Sequence, residues 1–121
     1  MDISSGESEP ELSPRELSIL RERLEHLRDQ LQARLQREQA AAQQAESLAE
    51  PMDAAELTRE QDDGVLLGAR DRGRLSEIER ALAKLDNGGY GRSELSGKPI
   101  GFRRLLAVPW ARTTAEEAEG G

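Results

Sequence analysis

Leu17, Leu20, Leu24, Leu27 and Leu31 recur at alternating spacings of three and four, with charged residues filling most of the positions between them. That is the a/d pattern of a coiled-coil seam: the leucines share one narrow stripe of a helix, and the stripe has to be buried against a partner helix. Leu75, Ile78, Leu82 and Leu85 repeat the pattern further on. Of 121 residues 36% are hydrophobic, 2% aromatic and 34% charged, too little apolar material for a globular core beside two such seams. A mainly α, elongated helical hairpin is the architecture this chain can support.

The punctuation of the sequence sets the ends of the two helices. Ser13-Pro14-Arg15-Glu16 reads as a start, with Ser13 as N-cap, Pro14 at the first helical position and Glu16 completing a capping box. Beyond Leu31 the seam weakens through Arg34, Leu35 and Glu38 into the Ala- and Gln-rich stretch Ala40 to Ala45, which keeps helix propensity to about Leu48 or Ala49. Glu50-Pro51 interrupts it, because proline lacks the donor N–H and pushes the preceding residue out of the helical region. Asp53, with Glu56 three residues on, can cap a second helix, and the short turn predicts an antiparallel pair. Gly64, Gly68 and Gly73 each cost roughly 1 kcal/mol of helix relative to alanine, which predicts a middle that bends or frays.

Asp86-Asn87-Gly88-Gly89 ends the second helix with residues that accept positive φ. All three aromatics, Tyr90, Phe102 and Trp110, lie after it and, with Ile100, Leu105, Leu106 and Val108, predict a small packed knob. Trp110 reads as core rather than as a binding platform. The expected organisation is a disordered, solvated leader over 1–13, a coiled coil over 14–86 with its tip at 50–55, a knob over 87–112 and an acidic tail over 113–121.

A net charge of −7 argues against direct DNA binding, which clustered Lys and Arg would drive, and favours a protein partner. The absence of cysteine excludes disulfides and thiolate metal sites. His26, between seam residues Leu24 and Leu27, has Glu22 and Asp29 for neighbours, which read as solvated charges rather than as fellow ligands. No basic start with an apolar run and no stretch of roughly 20 apolar residues is present, so a cytoplasmic protein away from membranes is expected. Nothing resembles a nucleophile with its base, a metal cluster or a phosphate cradle after a strand, so no enzyme is expected.

Three segments are more specific. Asp86-Asn87-Gly88-Gly89-Tyr90-Gly91, Gly97-Lys98-Pro99-Ile100 and Arg104-Leu105-Leu106-Ala107-Val108-Pro109-Trp110-Ala111 resemble the knob signature of the DksA/TraR family of transcription factors. The resemblance covers about Leu17 to Glu117 and implies a long antiparallel coiled-coil hairpin with a zinc-finger-like knob. In the family these segments surround four zinc-binding cysteines, and here Ser93, Ser96, Thr114 and Glu117 stand in those places. The resemblance thus implies a knob without zinc, although structural zinc supplies on the order of 10 kcal/mol of binding in small zinc peptides. Packing around Tyr90, Phe102 and Trp110 is expected to replace it.

The family's Asp-x-x-Asp-x-Ala tip corresponds to Glu50-Pro51-Met52-Asp53-Ala54-Ala55. The resemblance implies that Glu50, Asp53 and Ala55 enter the secondary channel of bacterial RNA polymerase and modulate promoter complexes, a role tied to the stringent response. From spacing alone, Asp53 reads as a helix N-cap and Glu50 as a solvated turn residue. Arg70, Arg72, Arg74, Arg103 and Arg104 offer cations for the polymerase or for the alarmone ppGpp, or else form a solvated helix face. Glu77, where some relatives place a lysine, would repel a polyphosphate and argues against ppGpp synergy. A monomer is expected. The competing reading is an acidic helical adaptor or dimerisation module, which would tolerate Asp53→Asn unchanged; transcript cleavage by tip acids is a minor variant.

Overall fold

The structure, a computed structural model, describes residues 10–48 and 54–120, with side chains over 10–45 and 68–120. Four helices follow one another: α1 Pro14–Leu48, α2 Ala54–Asn87, α3 Phe102–Ala107 and α4 Ala115–Gly120. None of the described helices is long and apolar enough to cross a membrane.

α1 opens on the expected capping box. The Ser13 N–H donates to Glu16 Oε1 at 2.9 Å and the Glu16 N–H donates to Ser13 Oγ at 3.1 Å, satisfying two donors that a helix start leaves orphaned. α1 packs along α2. Arg21 pairs with Asp86 at 3.0 Å and Arg34 with Asp71 at 2.8 Å, so residue numbers rise along one helix as they fall along the other and the pair is antiparallel. Leu20, Leu24, Leu31, Ile78, Ala81 and Leu82 are buried between them, with Leu17, Leu27, Leu75 and Leu85 packed alongside. The second helix does not break at its glycines: α2 is continuous from Ala54 to Asn87. Gly68 is buried, and a Cβ there would stand 3.0 Å from the Arg72 guanidinium.

α2 stops as its sequence demands. Gly88 turns left-handed at φ +86, and the Gly89 N–H returns to the Lys84 carbonyl at 2.9 Å, the reach of a Schellman motif. The chain then folds back into the knob through a tight loop. Arg92 and Pro99 form an isolated antiparallel bridge, closed by Ser93 N–H to Lys98 O at 2.9 Å and Ile100 N–H to Gly91 O at 2.8 Å. Tyr90, Ile100 and Leu105 join the same buried cluster as the coiled-coil leucines, so the knob is seated on the base of the hairpin. The Tyr90 hydroxyl donates to the Pro109 carbonyl at 2.9 Å, and burial raises its pKa.

Within the expected 1–13 leader, Pro10, Glu11 and Ser13 are exposed, while Leu12 packs against the core cluster and Glu11 pairs with Arg92. The socket for Leu12 is Gly91, at φ +92, where a Cβ would lie 2.8 Å from Leu12 Cδ1. A single leucine carries no period, so no sequence pattern marks Leu12. The acidic tail of 113–121 contains α4, whose first turn is tied into the knob.

Candidate functional site

The knob closes around Glu117. Thr114 and Glu117 form a second capping box: the Thr114 N–H donates to Glu117 Oε1 at 2.9 Å, and the Glu117 N–H donates to Thr114 Oγ1 at 3.1 Å. Across the loop, the buried Ser93 hydroxyl donates to the same Oε1 at 2.6 Å. Ser93 Oγ in turn accepts the N–H groups of Leu95 at 3.1 Å and Ser96 at 3.2 Å, so this buried hydroxyl is fully used. Hydrogen bonds from Ser93 first, then from Ser96 and the Thr114 backbone, hold the Glu117 carboxyl down at about 2. Ser93, Ser96, Thr114 and Glu117 are thus brought into one hydrogen-bonded cluster with an anion at its centre.

These residues do not fit a structural zinc. Three are neutral hydroxyls, and the oxygen Glu117 would offer already accepts two hydrogen bonds, whereas structural zinc sites use thiolates and imidazoles. Among the described residues no three His, Asp or Glu side chains gather into a metal-binding group.

A second carboxylate joins the knob to the coil. Glu94 Oε2 accepts from Arg80 at 2.7 Å and from Lys84, both on α2, while Oε1 accepts from Arg112 at 2.8 Å. The Glu94 N–H also donates to the Arg112 carbonyl at 2.8 Å. Arg112 first, then Lys84 and Arg80, lower the Glu94 carboxyl to about 2. Exposed ion pairs are singly worth little, but one carboxylate shared among three cations on two segments fixes the angle between those segments. Sequence reading missed Glu94, since no local signal pairs residues so far apart. The Thr114-x-x-Glu117 spacing, by contrast, is a capping-box signature legible in the chain.

The remaining candidates are dispersed. Glu50 and Asp53 lie outside the described residues; Ala55 belongs to the first turn of α2, its side chain outside them. Arg70 and Arg72 are exposed on α2, and Arg103 is exposed on α3. Arg104 is engaged in the fold, donating to the Thr113 carbonyl at 3.0 Å. Arg74 stacks over Trp110 at 3.9 Å from the ring centre. Trp110 is half-buried and presents a face as well as filling the core.

The chain is 32% identical over 120 residues to a protein of Caulobacter vibrioides named RNA polymerase-binding transcription factor DksA, covering 98% of this chain and 84% of that one. It is 50% identical over 46 residues to general stress protein 16O of Bacillus subtilis, which spans 38% of this chain and 28% of that one. Among solved structures, transcription factor DksA2 from Pseudomonas aeruginosa matches with a TM-score of 0.82 at 28% identity, covering 99% of this chain and 88% of the other. A polymerase-binding regulator from Chlamydia trachomatis shares the fold, with a TM-score of 0.56 at 21% identity over 91% of each chain. No protein-family model matches.

Proposed function

The chain belongs to the DksA family, as a member without cysteine, and from that membership we propose that it is a bacterial transcription regulator that binds RNA polymerase. The observation that carries the reading is the near full-length match to a polymerase-binding factor, which spans coil and knob together. The relatives are named transcription factors, and nothing in that match points to an enzyme. Polymerase as the partner puts the protein in the cytoplasm.

In this reading the hairpin is a stalk. Its tip, Glu50, Asp53 and Ala55, enters the secondary channel and sets carboxylates near the active centre, where they act on promoter complexes through charge and hydrogen bonding. The rigid seam below the tip supplies the reach. The knob keeps the base of the stalk in shape by the Glu117 cluster, with Ser93, Ser96 and Thr114 at the family's ligand positions. A knob held this way makes activity independent of zinc supply and of thiol oxidation.

The test measures binding of the purified protein to bacterial RNA polymerase together with transcription from a ribosomal promoter, for wild type, Asp53→Asn and a chelator-treated sample. Wild type is expected to bind and to change transcript yield. Asp53→Asn is expected to bind equally and lose the effect on transcription, and chelator to change neither. Failure of the wild type to bind would remove the polymerase reading in favour of an adaptor.

A further inference from the structure

Asn87 is the only asparagine in the chain, and two glycines follow it at the passage from coil to knob. It is the last residue of α2, and Asn87, Gly88 and Gly89 are all exposed. The Asn87 side chain is folded back over the peptide that follows it. Its Oδ1 accepts the Gly89 N–H at 3.1 Å, and a Cβ on Gly89 would stand 3.3 Å from the same oxygen. The Gly89 N–H is shared between that oxygen and the Lys84 carbonyl, at 2.9 Å.

This geometry has a chemistry of its own. An asparagine oxygen bonded to the N–H two residues on closes a small ring through Cγ, which brings that carbon beside the Gly88 nitrogen. Gly88 has no side chain to shield its nitrogen, and nothing lies within 4 Å of where a Cβ would be. The Gly89 N–H polarises the amide carbonyl and is placed to stabilise the negative charge that its oxygen takes on when Cγ is attacked, as an oxyanion donor does. Ring closure requires Asn87 to leave the helical conformation, which for the last residue of a helix disturbs only the terminal turn.

We propose that Asn87 is a self-modification site at which the folded protein deamidates. The Gly88 nitrogen, having given its proton to hydroxide, forms a bond to Asn87 Cγ; the Cγ–Nδ2 bond breaks, and the nitrogen leaves as ammonia with a proton from water. The resulting succinimide is opened by water. Hydrolysis at Cγ gives aspartate, and hydrolysis at the main-chain carbonyl gives isoaspartate, in which the chain runs through Cβ and Cγ. Water is the sole co-reactant, ammonia the sole product released, and nothing is oxidised or reduced.

Either product puts a carboxylate at the C-terminal end of α2, the end of a helix that disfavours an anion, beside the Asp86 that pairs with Arg21 at 3.0 Å. Isoaspartate also adds a methylene to the main chain, which shifts Gly88, at φ +86, and the return of Gly89 to Lys84. The bonds from Arg80 and Lys84 to Glu94 still cross the joint, so the knob stays attached while its seating on the coil loosens. Older chains thus differ from new ones at the joint, whatever partner the protein binds.

The experiment incubates the full chain at neutral and mildly alkaline pH, folded and in concentrated urea, and follows the tryptic peptide Leu85–Arg92 by mass spectrometry against a zero-time sample. The folded chain is expected to gain one mass unit in this peptide, as NH2 is replaced by OH, at a rate that rises with hydroxide, with ammonia released in equal amount and an isoaspartyl form separated by chromatography. Isomerisation of Asp63-Gly64 changes no mass and lies in another peptide. Asn87→Gln, whose side chain closes a larger and slower-forming ring, is expected to lose the gain while its circular dichroism matches wild type. The aged chain is expected to lose its Trp110 fluorescence transition at a lower temperature than the fresh chain, with Asn87→Asp, which carries the charge without the methylene, in between. A mass gain confined to the urea sample would show that the fold protects Asn87 and would overturn the proposal. No gain in either sample, or an equal gain in Asn87→Gln, would overturn it as well. An aged chain whose Trp110 transition matches the fresh one would overturn the effect on the joint.

Discussion

The coiled coil and the knob are held together by opposite kinds of interaction. In the coil, Leu20, Leu24 and Ile78 are fully buried along a seam, and its ion pairs lie at the surface. In the knob the apolar contribution comes from Tyr90, Ile100 and Leu105, and closure depends on two carboxylates, Glu94 and Glu117, each accepting from several donors. The seam is apolar, so no ionised group is needed to hold it. The knob depends on particular oxygens being ionised and in place. A small lobe without cysteine thus closes on hydrogen-bonded carboxylates beside its apolar residues.

The strongest way to break that contrast is to give the knob a metal. Replacing all four of Ser93, Ser96, Thr114 and Glu117 by cysteine is expected to create a site for one zinc ion per chain, with apparent binding on the order of 10 kcal/mol. Zinc titration with a colorimetric indicator, and a thermal transition that becomes chelator-sensitive, would show it; no zinc uptake by the folded variant would mean the four positions are not equivalent to the family's ligands.

Cutting into the seam sharpens the contrast from the other side. Ile78→Ala empties a fully buried site and is expected to cost about 3 kcal/mol, read by urea unfolding followed by far-UV circular dichroism. A loss below about 1 kcal/mol would indicate that the coil relaxes around the cavity and that the seam contributes less than its burial suggests.

The smallest effect is expected from acid. Glu94 and Glu117 have folded-state values of about 2 against an ordinary 4.5, so each favours the folded knob above 4.5 and that contribution fades as pH falls towards 2. Trp110 is the sole tryptophan and sits in the knob, so its fluorescence reports this lobe while circular dichroism follows the helices. The tryptophan signal is expected to change in that window, and Glu94→Gln to weaken the change. A knob unaltered down to pH 2 would place its stability in Tyr90 and its apolar neighbours instead.

The same contrast governs what could be read from the chain. Periodicity exposes a seam, so Leu17 to Leu31 and Leu75 to Leu85 declared the hairpin, and the Ser13–Glu16 capping box and the Gly88-Gly89 stop marked helix ends to within a residue or so. The knob depends on partners far apart in the sequence. Glu94 meets Arg80 and Arg112, Ser93 meets Glu117, and Leu12 meets Gly91, pairings that no local pattern encodes. Ser93 and Ser96 could be singled out only through resemblance to a family, Thr114 and Glu117 also by their capping-box spacing, and the cooperation of all four through one carboxylate emerged only in three dimensions. The glycines of α2 do not interrupt the helix, since intrinsic propensity is a weak prior once a helix is packed along one side.

The cluster around Glu117 also sets how this protein comes into being. Ser93, Ser96, Thr114 and Glu117 belong to one polypeptide, so forming this cluster is a unimolecular event whose rate scales with the chain alone.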